Sequence, residues 1–197
     1  MTARRVVVIQ GHPDPSPDRL CRALGAAYAD GAGKAGHSVR HIDVAALDFP
    51  MLTTKAEFDT GDPPPDIADA QAAVKWAEHM VFIYPLWLGT MPALLKAFLE
   101  RVFAHGIEPD HDTGTGKWPF KLLAGRSARI VVTMGMPAFI YRWFFWAHSL
   151  KSFERCILRM VGIKPVRETL IGGVGEMDRR KAEKHLGKIA ELGRKAL

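Results

Sequence analysis

The chain has 197 residues, 48% hydrophobic and 24% charged, which suits a globular protein with a substantial core. Its two cysteines, Cys21 and Cys156, make no disulfide framework and match no metal-ligand spacing, so a reducing cytoplasm is the simplest setting. A net charge of +6 suits anionic ligands such as nucleotides, and no zinc-finger spacing or aromatic RNA-binding motif points to nucleic acid.

Arg5–Gln10 reads as a first strand, an apolar run too short for the core of a signal peptide. The chain then runs Gly11-His12-Pro13-Asp14-Pro15-Ser16-Pro17-Asp18. Ser16 is placed to cap a helix over Asp18–Ala35, with Pro17 at its first position. The free amides and dipole of that helix end can receive a phosphate, with His12 and Ser16 as further donors. The alternative is a capped helix with nothing bound, which Asp18 favours, because a first-turn carboxylate satisfies the dipole and repels a phosphate. Neither a Gly-x-Gly-x-x-Gly fingerprint nor a P-loop occurs at this turn.

Ser38–Asp43 is the second predicted strand. Asp59 to Asp66 contains Pro63-Pro64-Pro65 and reads as an extended linker before a helix over Ile67–Ala77. Met80–Tyr84 is the third strand, stopped by Pro85. The loop beyond it carries Leu86, Trp87 and Leu88, with Gly89 allowing a close turn, and leads into a helix over Met91–Ala104. A planar ligand sits just beyond the carboxyl ends of strands in an open α/β sheet. The competing reading packs Trp87 on the domain's own core. The connection from Ala104 to Pro119 has the length of a functional or disordered loop. Within it, Gly114-Thr115-Gly116-Lys117 lacks P-loop spacing, and the adjacent Asp110, His111 and Asp112 make a poor preorganised metal site, so no metal is expected.

Arg129–Thr133 is the fourth strand. The stretch Ile130–Ala147 is apolar apart from Arg142 and approaches the roughly 20 residues of a membrane span. It opens as a strand, is broken by Gly135 and Pro137, and contains a charge, so it reads as strand, turn and the start of a helix over Tyr141–Val161, not a membrane span. Phe139, Tyr141, Trp143, Phe144, Phe145 and Trp146 exceed what one small sheet readily buries, which suggests a dimer interface or pocket wall, with core packing as the alternative. Arg167–Ile171 is the fifth strand. Gly172-Gly173-Val174-Gly175 lacks the third fingerprint glycine and reads as turn chemistry. A last helix over Glu176–Ala196 keeps Ala182, Leu186, Ile189 and Leu192 at helical spacing and turns its many Lys and Arg to water.

Strands alternating with helices imply a parallel sheet covered on both faces. Five such units suit an α/β flavodoxin-like three-layer sandwich, a single domain over 1–197 with a five-stranded sheet of order 2-1-3-4-5.

Together, His12-Pro13 and Ser16 after the first strand, and Pro85-Leu86-Trp87-Leu88-Gly89 with Pro92-Ala93-Leu94-Leu95-Lys96 after the third, resemble the NAD(P)H:quinone oxidoreductase family. This is the DT-diaphorase-like branch of the flavodoxin-fold flavoproteins, and Phe98-Leu99-Glu100-Arg101-Val102-Phe103 continues the likeness. The resemblance implies a flavin, FAD favoured over FMN, whose phosphate lies on His12, Ser16, Pro17 and Asp18. Its ring would lie along Pro85, Leu86, Trp87 and Leu88, with the pocket completed by Thr133, Met134, Gly135 and Met136. It further implies NAD(P)H as transient hydride donor, a quinone or similar acceptor, a homodimer, and Tyr141 and a nearby His148 offsetting charge at the reacting ring. Two departures have physical consequences: Met136 replaces a usual glycine and adds bulk at the ring, and Asp18 replaces an Asn at the phosphate. His148 lies one residue beyond the family's place, about 100° round a helix. The same family includes ancillary subunits of membrane transport systems, so a regulatory, partner-binding subunit is the alternative function.

Overall fold

A computed structural model of the chain describes residues 2–60, 62–104 and 122–197. Its strands are β1 (Arg5–Gln10), β2 (Ser38–Asp43), β3 (His79–Pro85), β4 (Ser127–Thr133) and β5 (Val166–Ile171). They pair in parallel in the order β2-β1-β3-β4-β5, the order expected of a flavodoxin-like sheet. Central β3 and β4 are buried at every position, whereas the edge strands β2 and β5 alternate with exposed polar residues.

Successive side chains leave a strand on opposite faces, and the core divides accordingly. Val7, Ile9, Phe82, Tyr84, Ile130 and Val132 pack under α3 (Pro65–Trp76) and α4 (Ala93–Ala104). Val6, Val8, Val81, Ile83 and Val131 face α1 (Leu20–Lys34) and α7 (Arg179–Arg194). Glycines let those last two helices touch backbone to backbone. A Cβ on Gly31 would lie 2.0 Å from the Ala190 carbonyl oxygen, and one on Gly193 would lie 2.1 Å from that of Tyr28.

The elements depart from the sequence expectations at several places. Pro85 is itself the last residue of β3, opposite Thr133, because a proline that cannot donate is tolerated at a strand end. The expected linker is shortened at both ends: Lys55–Thr60 forms α2, and Pro65 opens α3 as a first-turn proline. The single helix expected over Tyr141–Val161 is broken into α5 (Ala138–Trp143) and α6 (His148–Ser152), which runs on as a π-helical stretch over Phe153–Leu158. Trp146 and Ala147, both left-handed at φ 54° and 48°, make the break. The helix expected from Glu176 starts instead at Arg179, where the Asp178 carboxylate accepts from the Lys181 amide at 2.7 Å. The readings made on the 104–119 connection beyond Ala104 fall outside the described residues. No helix among the described residues is long and apolar enough to cross a membrane.

Candidate active site

Three loops leave the carboxyl ends of β1, β3 and β4, whose registers align Gln10 with Ile83 and Pro85 with Thr133. The first begins at Gly11 and is organised by His12, which is only 8% exposed. Its Nδ1 accepts the Asp14 amide at 3.0 Å, so the neutral ring carries its proton on Nε2. Burial holds this imidazole below its ordinary pKa, Arg19 and Arg22 push the same way, and Asp14 opposes them. His12 therefore offers a neutral Nε2–H donor, where the sequence left donor and positive charge both open.

Asp14 closes the loop on itself. One carboxylate oxygen accepts the Ser16 amide at 2.8 Å, and the other accepts Arg19 Nε at 2.6 Å. The Ser16 amide and then Arg19 hold the Asp14 carboxyl below the usual range. This geometry corrects the expected helix start. Ser16 is not the cap: α1 begins at Leu20, with extended Arg19 as its N-cap residue. Ser16 precedes a proline, which disfavours helical backbone, and its amide is committed to an Asx turn. Asp18 consequently lies outside the first helical turn, which contains no acidic residue. The dipole is not satisfied by Asp18 as expected.

The second loop is a tight turn. Trp87 and Thr90 exchange backbone bonds of 2.8 and 3.0 Å around Leu88 (φ 46°) and Gly89 (φ 81°). Two positive φ values in succession mark the primed turn that suits a two-residue hairpin, and Gly89 adopts its half at no steric cost. Leu88 adopts the other half with its side chain fully in solvent, and Trp87 is 49% exposed. The reading that packed Trp87 on the core is thereby excluded. Its ring instead meets His12 edge-on, centroids 5.8 Å apart, which joins the first loop to the second.

The third loop, Met134 to Pro137, is clasped by the turn after β5. The Gly173 amide donates to Met136 O at 3.1 Å and the Val174 amide to Met134 O at 3.2 Å. A Cβ on Gly172 would lie 2.3 Å from the Ala138 nitrogen, so that turn needs glycine for close approach. Met136 is not in the left-handed region and its half-buried side chain packs against the core. Its backbone conformation therefore does not require the family's glycine. Among the described residues, the Gly135 and Met136 amides have no hydrogen-bond acceptor.

Beside the second loop lies a cleft of about 460 Å³ between the start of α4 and α6, lined by Trp87, Leu88, Met91, Lys96, Ser149 and Phe153 among others. Tyr141 supports its far wall. Its hydroxyl lies 2.7 Å from Ser149 Oγ and accepts the Leu150 amide at 3.2 Å, and the residue is 2% exposed. His148 is exposed at the opening of α6, and Tyr141 bonds its neighbour Ser149 instead. Phe139, Trp143, Phe144, Phe145 and Trp146 all stand 47–75% exposed, so core packing holds for Tyr141 alone of that cluster.

Sequence reasoning passed over four residues here. Arg22 binds both oxygens of Asp43, at 2.7 and 3.2 Å, and also donates to Asp14 O. Arg19, paired with Asp14, likewise ties the first loop to the start of α1, and both arginines lie in the first turns of the helix expected from Asp18. Cys21 Sγ lies 3.1 Å from Thr133 Oγ1, tying α1 to the end of β4, and burial raises its thiol pKa to about 11, so it stays protonated. Ser149 carried no sequence signal at all.

A family model described as flavodoxin-like fold matches residues 4–192. The ribosyldihydronicotinamide dehydrogenase-like protein traD of Penicillium crustosum is 30% identical over 155 residues, 66% of this chain and 57% of that protein. The chain thus spans little more than half of that relative's length. The potassium-efflux ancillary protein KefG of Escherichia coli is 38% identical over 108 residues, covering 51% of this chain and 55% of that one. The solved NAD(P)H:quinone oxidoreductase of Methanothermobacter marburgensis superposes with a TM-score of 0.77 at 23% identity, covering 98% of this chain and 96% of that one.

Proposed function

This chain belongs to the flavodoxin-like fold family, and from that premise we propose that it is a flavin-dependent NAD(P)H oxidoreductase reducing quinones or related acceptors by two-electron hydride transfer. The observation that carries this reading is the contact of His12 with Trp87, which makes the donors of the first loop and the flat apolar wall of the second parts of one surface. A flavin fits that surface chemically: polar donors for its phosphate, an aromatic wall and apolar cleft for its ring.

Bound flavin supplies the two-electron chemistry, and the chain supplies position and charge. The His12 Nε2–H, Ser16 and the free amides opening α1 would hold the phosphate, while Arg19 and Arg22, paired with Asp14 and Asp43, fix the loop that presents them. Pro17 and Asp18 form the outer side of that loop. Pro85 to Leu88 orient the ring, and the amides of Gly135 and Met136, beside Thr133 and Met134, stabilise developing negative charge. Tyr141 is a positioning residue that fixes Ser149 in the cleft wall, and exposed His148 offsets charge as the acceptor is reduced. The same reading makes 1–197 one cytoplasmic homodimerising domain that takes FAD before FMN.

The test is anaerobic. Protein loaded with FAD or FMN and freed of excess should bleach on adding NADPH or NADH and recover its colour with a quinone. A protein that retains flavin but never bleaches with either nicotinamide would overturn the oxidoreductase reading. A second reading, an ancillary subunit of a transport system, draws on the similarity to KefG. Stable co-purification with a membrane transporter, together with absent turnover, would establish it instead.

A further inference from the structure

We propose that Ser149 selects the occupant of the apolar cleft, donating its hydroxyl proton to a carbonyl oxygen of a flat, otherwise apolar molecule. The choice of a quinone as that molecule rests on the oxidoreductase reading; the donor follows from where the protons of the cleft wall must go. Tyr141 fixes their direction. The residue is 2% exposed, and its hydroxyl oxygen accepts the Leu150 amide at 3.2 Å. A phenol also has one proton to give. Among the described residues, the only acceptor bonded to that hydroxyl is Ser149 Oγ, at 2.7 Å. With Ser149 as the donor, the buried phenolic proton would be left without a partner, an arrangement that folded proteins avoid. Tyr141 therefore donates, Ser149 Oγ accepts, and the serine keeps its own proton.

That proton has no second acceptor among the described residues, and half-buried Ser149 lines the cleft. The Ala147 amide, bonded to Tyr141 O at 3.1 Å, holds the tyrosine and the start of α6 together, so the donor is fixed before a ligand arrives. Accepting from Tyr141 also strengthens it, because hydrogen bonds in a chain polarise one another. The rest of the cleft says what such a donor meets. Trp87, Met91 and Phe153 give apolar walls to its 460 Å³ or so, ample for a small ring system. Lys96 lines it too, but its ammonium is engaged by Glu100, and Thr90 and Ser152 are exposed to water. No carboxylate is among the described lining residues, so a ligand's own N–H or O–H groups find no charged acceptor there. Apolar walls with a half-buried neutral donor suit a molecule whose polar atoms only accept, and a quinone is of that kind.

Binding is read on the intact protein without nicotinamide or turnover. Ligand-observed NMR gives dissociation constants for tetramethyl-1,4-benzoquinone and for p-xylene, a methylated ring without carbonyls. Ser149→Ala should weaken the quinone about fivefold and leave p-xylene unchanged, and Ser149→Thr should restore the quinone. In Tyr141→Phe/Ser149→Ala no phenolic proton is left without an acceptor. A purely structural role for Ser149 requires quinone binding to recover there, whereas a donor role requires the loss to persist. No quinone binding by the wild type, equal weakening of both ligands or of neither in Ser149→Ala, or recovery in the double variant overturns the proposal. The two readings fail separately. Quinone bound through Ser149 by a protein whose flavin never bleaches would remove the oxidoreductase reading alone. Quinone reduction by a protein whose Ser149→Ala variant binds quinone as tightly as the wild type would remove this inference alone.

Discussion

The two ends of the sheet solve opposite problems. At the amino end, His79, buried to 0% exposure at the start of β3, has Nδ1 2.7 Å from Ser127 Oγ and its ring stacked on Tyr28. Around it, the Arg4 amide donates to His37 Nδ1, His37 Nε2 contacts Arg194 O, and Arg126 Nε donates to Ala77 O. Most polar groups there are spent on closing the fold, although the buried His79 Nε2 has no hydrogen-bond partner among the described residues. At the carboxyl end the chain keeps donors and rings outward: the His12 Nε2–H, the Gly135 and Met136 amides, half-exposed Trp87 and fully exposed Leu88. The lesson is that unfilled hydrogen-bonding and stacking capacity turned outward at one end marks where a ligand is to be received.

Substitutions at the two ends should separate stability from binding. Gly31→Ala drives a methyl into the Ala190 carbonyl and should cost on the order of 3 kcal/mol, read from denaturant midpoints, while the protein that folds keeps its flavin affinity. An unchanged midpoint would show that α1 and α7 can part without penalty.

Acid should act on the sealed end next. Burial first, then Arg129 and Arg4, lowers the His79 pKa to about 3. The unfolded chain, with an ordinary histidine, then binds more protons than the native one between about pH 6.5 and pH 3. Stability is therefore present above this window and is lost as pH falls through it, by about 2 kcal/mol from pH 7 to pH 5. His79→Gln should flatten that slope in urea titrations at both pH values; a parallel slope would move the acid sensitivity to other groups.

At the open end the effects should reverse. Trp87→Ala should weaken flavin binding about tenfold, near 1.4 kcal/mol, and leave the denaturant midpoint almost unmoved. A large fall in stability with unchanged affinity would make Trp87 a packing residue after all. The smallest effect is expected at Leu88, where Asn adopts positive φ more readily. Leu88→Asn should raise stability by about 0.5–1 kcal/mol and raise the KM for an apolar acceptor, and a loss of stability would deny that the turn is strained.

Much of the architecture was legible because the signals were local and repeated. The apolar runs placed all five strands within two residues of their observed ends, and their alternation with helices gave the sheet order. What failed depended on competition between neighbours. Ser16 has the chemistry of a cap, but prolines on both sides and the Asp14 carboxylate hold it in a turn, so α1 starts at Leu20. The break at Trp146 and Ala147 has no glycine or proline to announce it. In the site, Trp87 stood out through its setting between Pro85 and Gly89. The contact of Trp87 with His12 and the support of Ser149 by Tyr141 join residues brought together by folding, and no spacing in the chain encodes them.

The contrast between the ends is tested most directly by hydrogen exchange of backbone amides with and without FAD or FMN. Added flavin should slow exchange at Leu20 and Cys21, Leu88 to Thr90, and Gly135 and Met136, and leave His79 and Ser127 at the sealed end unchanged. Protection confined to the sealed end, or none at flavin concentrations of about 100 μM, where the ligand pairs named here should be saturated, would contradict it.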